Sequence, residues 1–314
     1  MRKAFIALQI VFAAAVVWFA GARMTRYWDD IVAQPLVVHV AWGPILLSAF
    51  VVFASYATLI ETWRRVLHAW GGVLNWMSTA HIWFVSSLGR YIPGKVWQIG
   101  AMGALAQRAG VSPLAATGSS IVVNLVNLLA GGAVVLAAGA DLLQVPGAVM
   151  IAAIVLGIAL LTLPLTIPGA VRLAATFTGR SLTVPVIPFT SLAVAFTGCT
   201  IGWLLYGGAF YLLERGLLGG AAPTGGITAA IAVYTASYLA GYIAFFAPGG
   251  IVVREGMMIE TMTRLGLADV PHATLVAVVS RLWITILELT PGLIFLARRP
   301  PRAATTRTDP DVPT

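Results

Sequence analysis

The sequence predicts an all-α, polytopic membrane helix bundle of about seven or eight spans, with two Pro-Gly-broken segments in a weak internal repeat. Three observations lead there. Of 314 residues, 59% are hydrophobic and 10% charged, whereas a soluble domain is about 25% charged and about 45 to 50% apolar. Mean hydropathy is +0.92. Apolar runs of about 20 residues, the length that a hydrocarbon layer roughly 30 Å thick demands of a helix, recur along the chain. A water-soluble enzyme is excluded on these grounds.

The first run, Phe5 to Ala20, follows Met1-Arg2-Lys3 and ends in Ala20-Gly21-Ala22, which has the shape of a signal peptide with its cleavage site. It reads instead as an uncleaved first span, because the chain downstream is also apolar and the run is long for a signal. Further spans are expected at Val40–Ile60, Leu114–Ala138, Val149–Ile167, Phe189–Leu213, Gly226–Ala247 and Ala273–Ala297. Two less apolar stretches, Thr79–Arg108 and Phe246–Arg264, are interrupted by Pro and Gly and read as re-entrant or half-helical.

With the N-terminus in the cytoplasm, Arg2, Lys3, Arg64, Arg65, Arg172 and Arg180 all fall inside, as positive charge should. Seven crossings would leave Arg298, Arg299, Arg302 and Arg307 outside, and a net crossing by Phe246–Arg264 makes eight and returns them. Residues 1–298 then form one transmembrane domain, with half-repeats around 79–138 and 226–297, and 299–314 form a disordered Pro- and Thr-rich tail. The expected location is the cytoplasmic membrane, multi-pass.

A net charge of +8 raises nucleic acid as a partner, but the 19 Lys and Arg are spread among loops between spans. Topology and anionic lipid account for them better, so no nucleic acid is expected. The lone Cys199 builds neither a disulfide nor a thiolate metal site, and His39, His68, His81 and His272 lack paired-ligand spacing. No metal, cofactor or nucleotide-binding loop is expected.

The repeat organises the rest. Its first copy runs Tyr91-Ile92-Pro93-Gly94-Lys95, Arg108-Ala109-Gly110-Val111, Pro113, then a span holding Ser120 and Asn124. Its second runs Phe246-Ala247-Pro248-Gly249-Gly250, Arg264-Leu265-Gly266-Leu267, Pro271, then a span holding Ser280 and Arg281. Paired helix-breaking segments in corresponding halves point to a transporter site near the bilayer midplane. Coincidence in a chain with 32 Gly and 17 Pro is the bland alternative.

Arg90 to Gln98 (RYIPGKVWQ) and Ala247 to Gly256 (APGGIVVREG) together resemble the lysylphosphatidylglycerol synthase transmembrane-region family, also called flippase-like, over nearly the whole chain. The resemblance implies a membrane domain that moves lipids between leaflets. Members sometimes carry a soluble aminoacyl-transfer domain, which has no counterpart here. The family's usual glycine after the second Pro-Gly-Gly-Ile is Val252 here, and Asn124 stands where members often carry an arginine.

Independently of any family, each Pro-Gly should end one half-helix and open another, and amides freed in lipid are tolerated only against protein or a wet cavity. A half-helix N-terminus there favours an anion. Arg90 and Lys95 flank the first break and Arg254 the second, placed to complement a lipid phosphate or to anchor at the interface. Gln98 and Glu255 follow the breaks, as cross-repeat partners or caps. Arg281 and Glu288, seven apart on one face of the last span, need a polar cavity or a partner, with Glu260 or Arg254 as mediator. Asn124 and Asn127 share a face, as interhelical glue or as part of the path, and Gly198 with Gly202 makes a packing GxxxG.

A transporter or flippase for an anionic or modified (glyco- or aminoacyl-) lipid fits best, its partner a membrane phospholipid or polyprenyl-linked lipid. No catalytic residue is assigned. The alternatives are an intramembrane transferase of lipid-linked glycosyl or other groups, using Asp29 and Asp30, and an accessory subunit of a lipid-modifying enzyme.

Overall fold

A chain in hydrocarbon must satisfy its backbone internally, and among the described residues the regular structure is helical throughout. The computed structural model describes residues 40–91, 96–139, 142, 146–151, 154–155, 157–158, 162, 188–244, 250 and 252–297. The expected first span, most of Val149–Ile167, Lys95, the Asp29-Asp30 pair, the Pro-Gly dipeptides and the tail lie outside them.

The helices are α1 (Trp42–Ala69), α2 (Trp76–Ser87), a 3-10 turn (Leu88–Tyr91), α3 (Val96–Arg108), α4 (Pro113–Gly139), α5 (Phe189–Leu218), α6 (Gly226–Ile243), α7 (Val253–Arg264) and α8 (Val270–Ala297). Five of them, α1, α4, α5, α6 and α8, are long and apolar enough to cross a membrane, which makes this a multi-pass membrane protein. They cover the expected spans with shifted ends. Helix α1 continues past Ile60 because Glu61 receives Arg64 at 2.7 Å and Arg65 at 2.8 Å, one turn on, so its charges are satisfied along the helix itself.

Helices α2, α3 and α7 have 12, 13 and 12 residues. At about 1.5 Å per residue each reaches about 20 Å, short of a hydrocarbon core about 30 Å thick. These are the stretches whose sequence was too interrupted for a span.

The two expected repeat copies fold alike at their second halves. Helix α3 ends on Gly110 at φ +90°, with the Val111 amide donating to the Ala106 carbonyl at 3.0 Å. Helix α7 ends on Gly266 at φ +64°, with the Leu267 amide donating to the Met262 carbonyl at 2.9 Å. Both are Schellman caps, which need the left-handed backbone that glycine tolerates. Ser112 Oγ then caps α4 by accepting from the Ala115 amide at 3.2 Å, and Asp269 Oδ1 caps α8 by accepting from the His272 amide at 2.9 Å. Burial raises the Asp269 carboxyl pKa, but the hydrogen bonds from His272 outweigh it and hold the group below its ordinary value. Helix α1 also ends in a Schellman cap, at Gly71, so the cap alone is not diagnostic. What the copies share is the order: short helix, Schellman cap, side-chain N-cap, proline, long helix.

Helix α5 is the central pillar, packed most extensively on α1 and also on α4 and α6. The close approach to α1 is made by the GxxxG: a Cβ at Gly198 would lie 2.0 Å from Thr62 Oγ1, and one at Gly202 would lie 2.9 Å from Leu59 Cδ2. Ser48 Oγ and Ser55 Oγ cross the same seam to the carbonyls of Ala209 (2.7 Å) and Gly202 (3.1 Å). Helix α8 packs on α2 and α7, and α4 packs on α3 and α6, so the two expected copies are joined on both sides.

Candidate functional site

Hydrophobic packing leaves one polar interior among the described helices. A cavity of about 120 Å³ opens between the two copies, and at roughly 10 to 15 Å³ per water it has room for several. Tyr56, Asn124, Asn127, Trp203 and Ile284 line it, and each sits close to the midpoint of α1, α4, α5 or α8. The cavity therefore lies at the level of the helix centres, where an uncompensated charge is most costly.

Three guanidiniums reach it, from Arg90, Arg254 and Arg281. Arg90, on the 3-10 turn, places Nη1 3.0 Å from Glu288 Oε1 and 3.1 Å from Oε2, and donates to Tyr238 Oη at 3.5 Å. Glu288 is 1% exposed. The pair bridges the first copy to α8 across 198 residues of sequence. Arg281 Nε stands 3.8 Å from Glu255 Oε1, a loose pair. The other Glu255 oxygen, Oε2, accepts from the Val252 amide at 2.5 Å, satisfying one orphan donor at the start of α7.

Arg254 is different. It is 2% exposed, and among the described residues Nη1 and Nη2 have no hydrogen-bond partner and no carboxylate within salt-bridge distance. Its guanidinium lies over two tyrosine rings, 4.8 Å from the Tyr234 centroid and 5.1 Å from that of Tyr238. The close contact of α6 and α7 creates this seat: a Cβ at Gly241 would come within 2.9 Å of Arg254 Cβ. Desolvated cation–π contacts are worth about 2 kcal/mol, while burying an ion leaves an effective penalty of several kcal/mol. The tyrosines offset part of the cost of Arg254, and an anion in the cavity would offset the remainder.

The backbone leading into this seat is strained. Val252 adopts φ 77°, ψ −46°, in the left-handed half of the map where a β-branched residue is an outlier.

The polar amides complete the lining. Asn124 Nδ2 donates to the Ser120 carbonyl at 2.8 Å, and its Oδ1 accepts from Tyr242 Oη at 3.1 Å, linking α4 to α6. Trp203 Nε1 donates to the Asn127 carbonyl at 2.9 Å. Gln98 faces the same space from α3.

Of the expected site residues, Arg90, Gln98, Asn124, Arg254, Arg281 and Glu288 thus line one cavity, and Glu255 stands behind Arg281. Lys95 lies outside the described residues. Glu260 is a correction: it is exposed and pairs with Arg264, one turn along α7, instead of mediating between Arg281 and Glu288. Six residues beyond Arg254, it is about 240° around the helix and points away. Arg90 and Glu255 take the partner roles expected of Glu260 and Arg254. Sequence reasoning missed the tyrosines. Tyr234, Tyr238 and Tyr242 recur every four residues on α6, a spacing that puts them on one face, and this was the available signal.

No protein-family profile and no curated protein matches the chain. Among the described residues, and counting Glu255 with Glu288, three guanidiniums face two carboxylates, leaving a single positive charge in a space with room for several waters.

Proposed function

We propose that the protein moves an amphipathic lipid between leaflets, its headgroup passing through this cavity while the acyl chains stay in the bilayer. The supporting observation is Arg254, a cation buried at the level of the helix centres, with no carboxylate partner among the described residues and lining a polar space. Headgroup movement needs such a place and no covalent chemistry. On this reading α2–α3 and α7 are the re-entrant halves of an inverted or parallel repeat, and residues outside the described range bring the spans to seven or eight. Rocking of one copy against the other would expose the cavity to each side in turn.

The motif resemblance to the flippase-like membrane region supports the same reading. The proposed setting is the cytoplasmic membrane with the N-terminus inside, and the proposed partners are a phospholipid or polyprenyl-linked lipid and an enzyme that modifies it. The test is a leaflet-exposure assay in proteoliposomes. Arg254→Ala, Glu255→Ala and Arg281→Ala should each abolish headgroup movement while inserting normally. Wild-type rates in all three would refute the proposal.

A further inference from the structure

The charge balance of the cavity says which headgroup it accepts. Each carboxylate near it among the described residues already has a counter-charge: Glu288 faces Arg90, and Glu255 accepts from the Val252 amide through Oε2 and faces Arg281 through Oε1. Each is largely shielded, with side-chain exposures of 2% and 17%. The ring faces best placed to receive a cation, those of Tyr234 and Tyr238, already carry Arg254. An incoming ammonium would have to displace an arginine from its carboxylate, or Arg254 from these two rings. A phosphodiester would find Arg254, with two unpartnered donor nitrogens.

We propose that the cavity selects a singly anionic phosphodiester whose second substituent is uncharged and hydroxyl-bearing, such as glycerol or a sugar, and rejects headgroups carrying an amine. This rests on the translocation reading for the identity of the lipid, but the binding chemistry stands by itself. Arg254 seats the phosphate by a paired, charge-assisted contact. Arg281, held to Glu255 at only 3.8 Å, is free to close on it. The Gln98 and Asn127 side chains offer neutral donors and acceptors to hydroxyl groups. An aminoacyl or ethanolamine group would add a second positive charge to a space that already holds three guanidiniums against two carboxylates.

The experiment uses the full-length protein in two arms. In detergent, calorimetric titration compares glycerophosphoglycerol with glycerophosphoethanolamine, the water-soluble deacylated headgroups. In proteoliposomes, leaflet exchange compares tail-labelled phosphatidylglycerol, phosphatidylethanolamine and lysyl-esterified phosphatidylglycerol. The glycerol headgroup should be preferred by at least about tenfold in both arms, a factor worth about 1.4 kcal/mol. Arg254→Gln should erase the preference. Arg254→Lys, which keeps the charge without the bidentate fork, should keep a weakened one.

Equal or better handling of the amine-bearing headgroups by the wild type overturns the inference, as does an Arg254→Gln variant that still discriminates. If Arg254→Gln does not fold, the wild-type preference and the Lys variant decide. Selective binding of glycerophosphoglycerol without any lipid exchange would sink the translocation proposal and leave the site standing as one for a soluble phosphodiester. Exchange of all three lipids at one rate would do the reverse.

Discussion

At the scale of single residues, charges stand where hydrocarbon penalises them. Arg254, Arg281 and Glu288 were visible in the sequence because ionisable groups stand out in apolar runs. Their partners were not, because partner choice depends on how helices far apart in sequence are rotated towards one another, as the Arg90–Glu288 pair shows. Removing one member of that pair strands the other. Glu288→Ala should lower stability by about 3 to 5 kcal/mol, the cost of breaking a buried pair, and Arg90→Met with Glu288→Met should recover most of it. Thermal unfolding in detergent measures both, and a double variant no more stable than Glu288→Ala would contradict the pairing. Val252 offers a second test. Residues held at such backbone angles store about 1 to 3 kcal/mol. Val252→Gly should therefore raise the unfolding midpoint, the stability gain being about 1 kcal/mol after the flexibility of glycine is set against it. A lower midpoint would show that the valine side chain contributes more by packing than its backbone costs.

At the scale of elements, hydropathy located α1, α4, α5, α6 and α8 to within a few residues at most ends, because a span's length is set by the bilayer and its composition by lipid. The short helices were legible only as interruptions. Proline and glycine announce where a helix stops, but the fold of the interrupted segment depends on neighbours, and the dipeptides themselves lie outside the described residues. The Arg-x-Gly motif following each break was the better guide, since Gly110 and Gly266 close α3 and α7 with the same hydrogen bonds. The GxxxG was legible as packing, and the structure supplies its partner. Gly198→Ala should destabilise the protein by about 1 to 3 kcal/mol, the usual effect of overfilling a tight contact. Adding Thr62→Ala removes the hydroxyl oxygen that the new methyl would meet at 2.0 Å. That double variant should regain most of the loss in the same unfolding measurement, and additive losses would show that the two helices do not meet there.

At the scale of the whole molecule, five apolar helices and three short ones among the described residues enclose a polar space that neither of the two expected copies could build alone. The first copy supplies Arg90, Gln98 and Asn124, and the second supplies Tyr238, Arg254, Arg281 and Glu288. Relative movement of the copies would change every distance across the cavity while leaving each copy's internal packing intact. That is the property a headgroup carrier needs, and it requires that water enter the interior of the bundle. Cysteine accessibility in proteoliposomes tests this most directly. With the buried Cys199 replaced by Ala, a cysteine at Asn127, inside the cavity, is compared with one at Ile286, which is 55% exposed on the outside of α8. A charged, membrane-impermeant thiol reagent should label Asn127→Cys readily and Ile286→Cys hardly at all, with phosphatidylglycerol slowing the former. Equal inertness at both positions would mean that no aqueous path reaches the space between the copies, and the carrier account would be wrong.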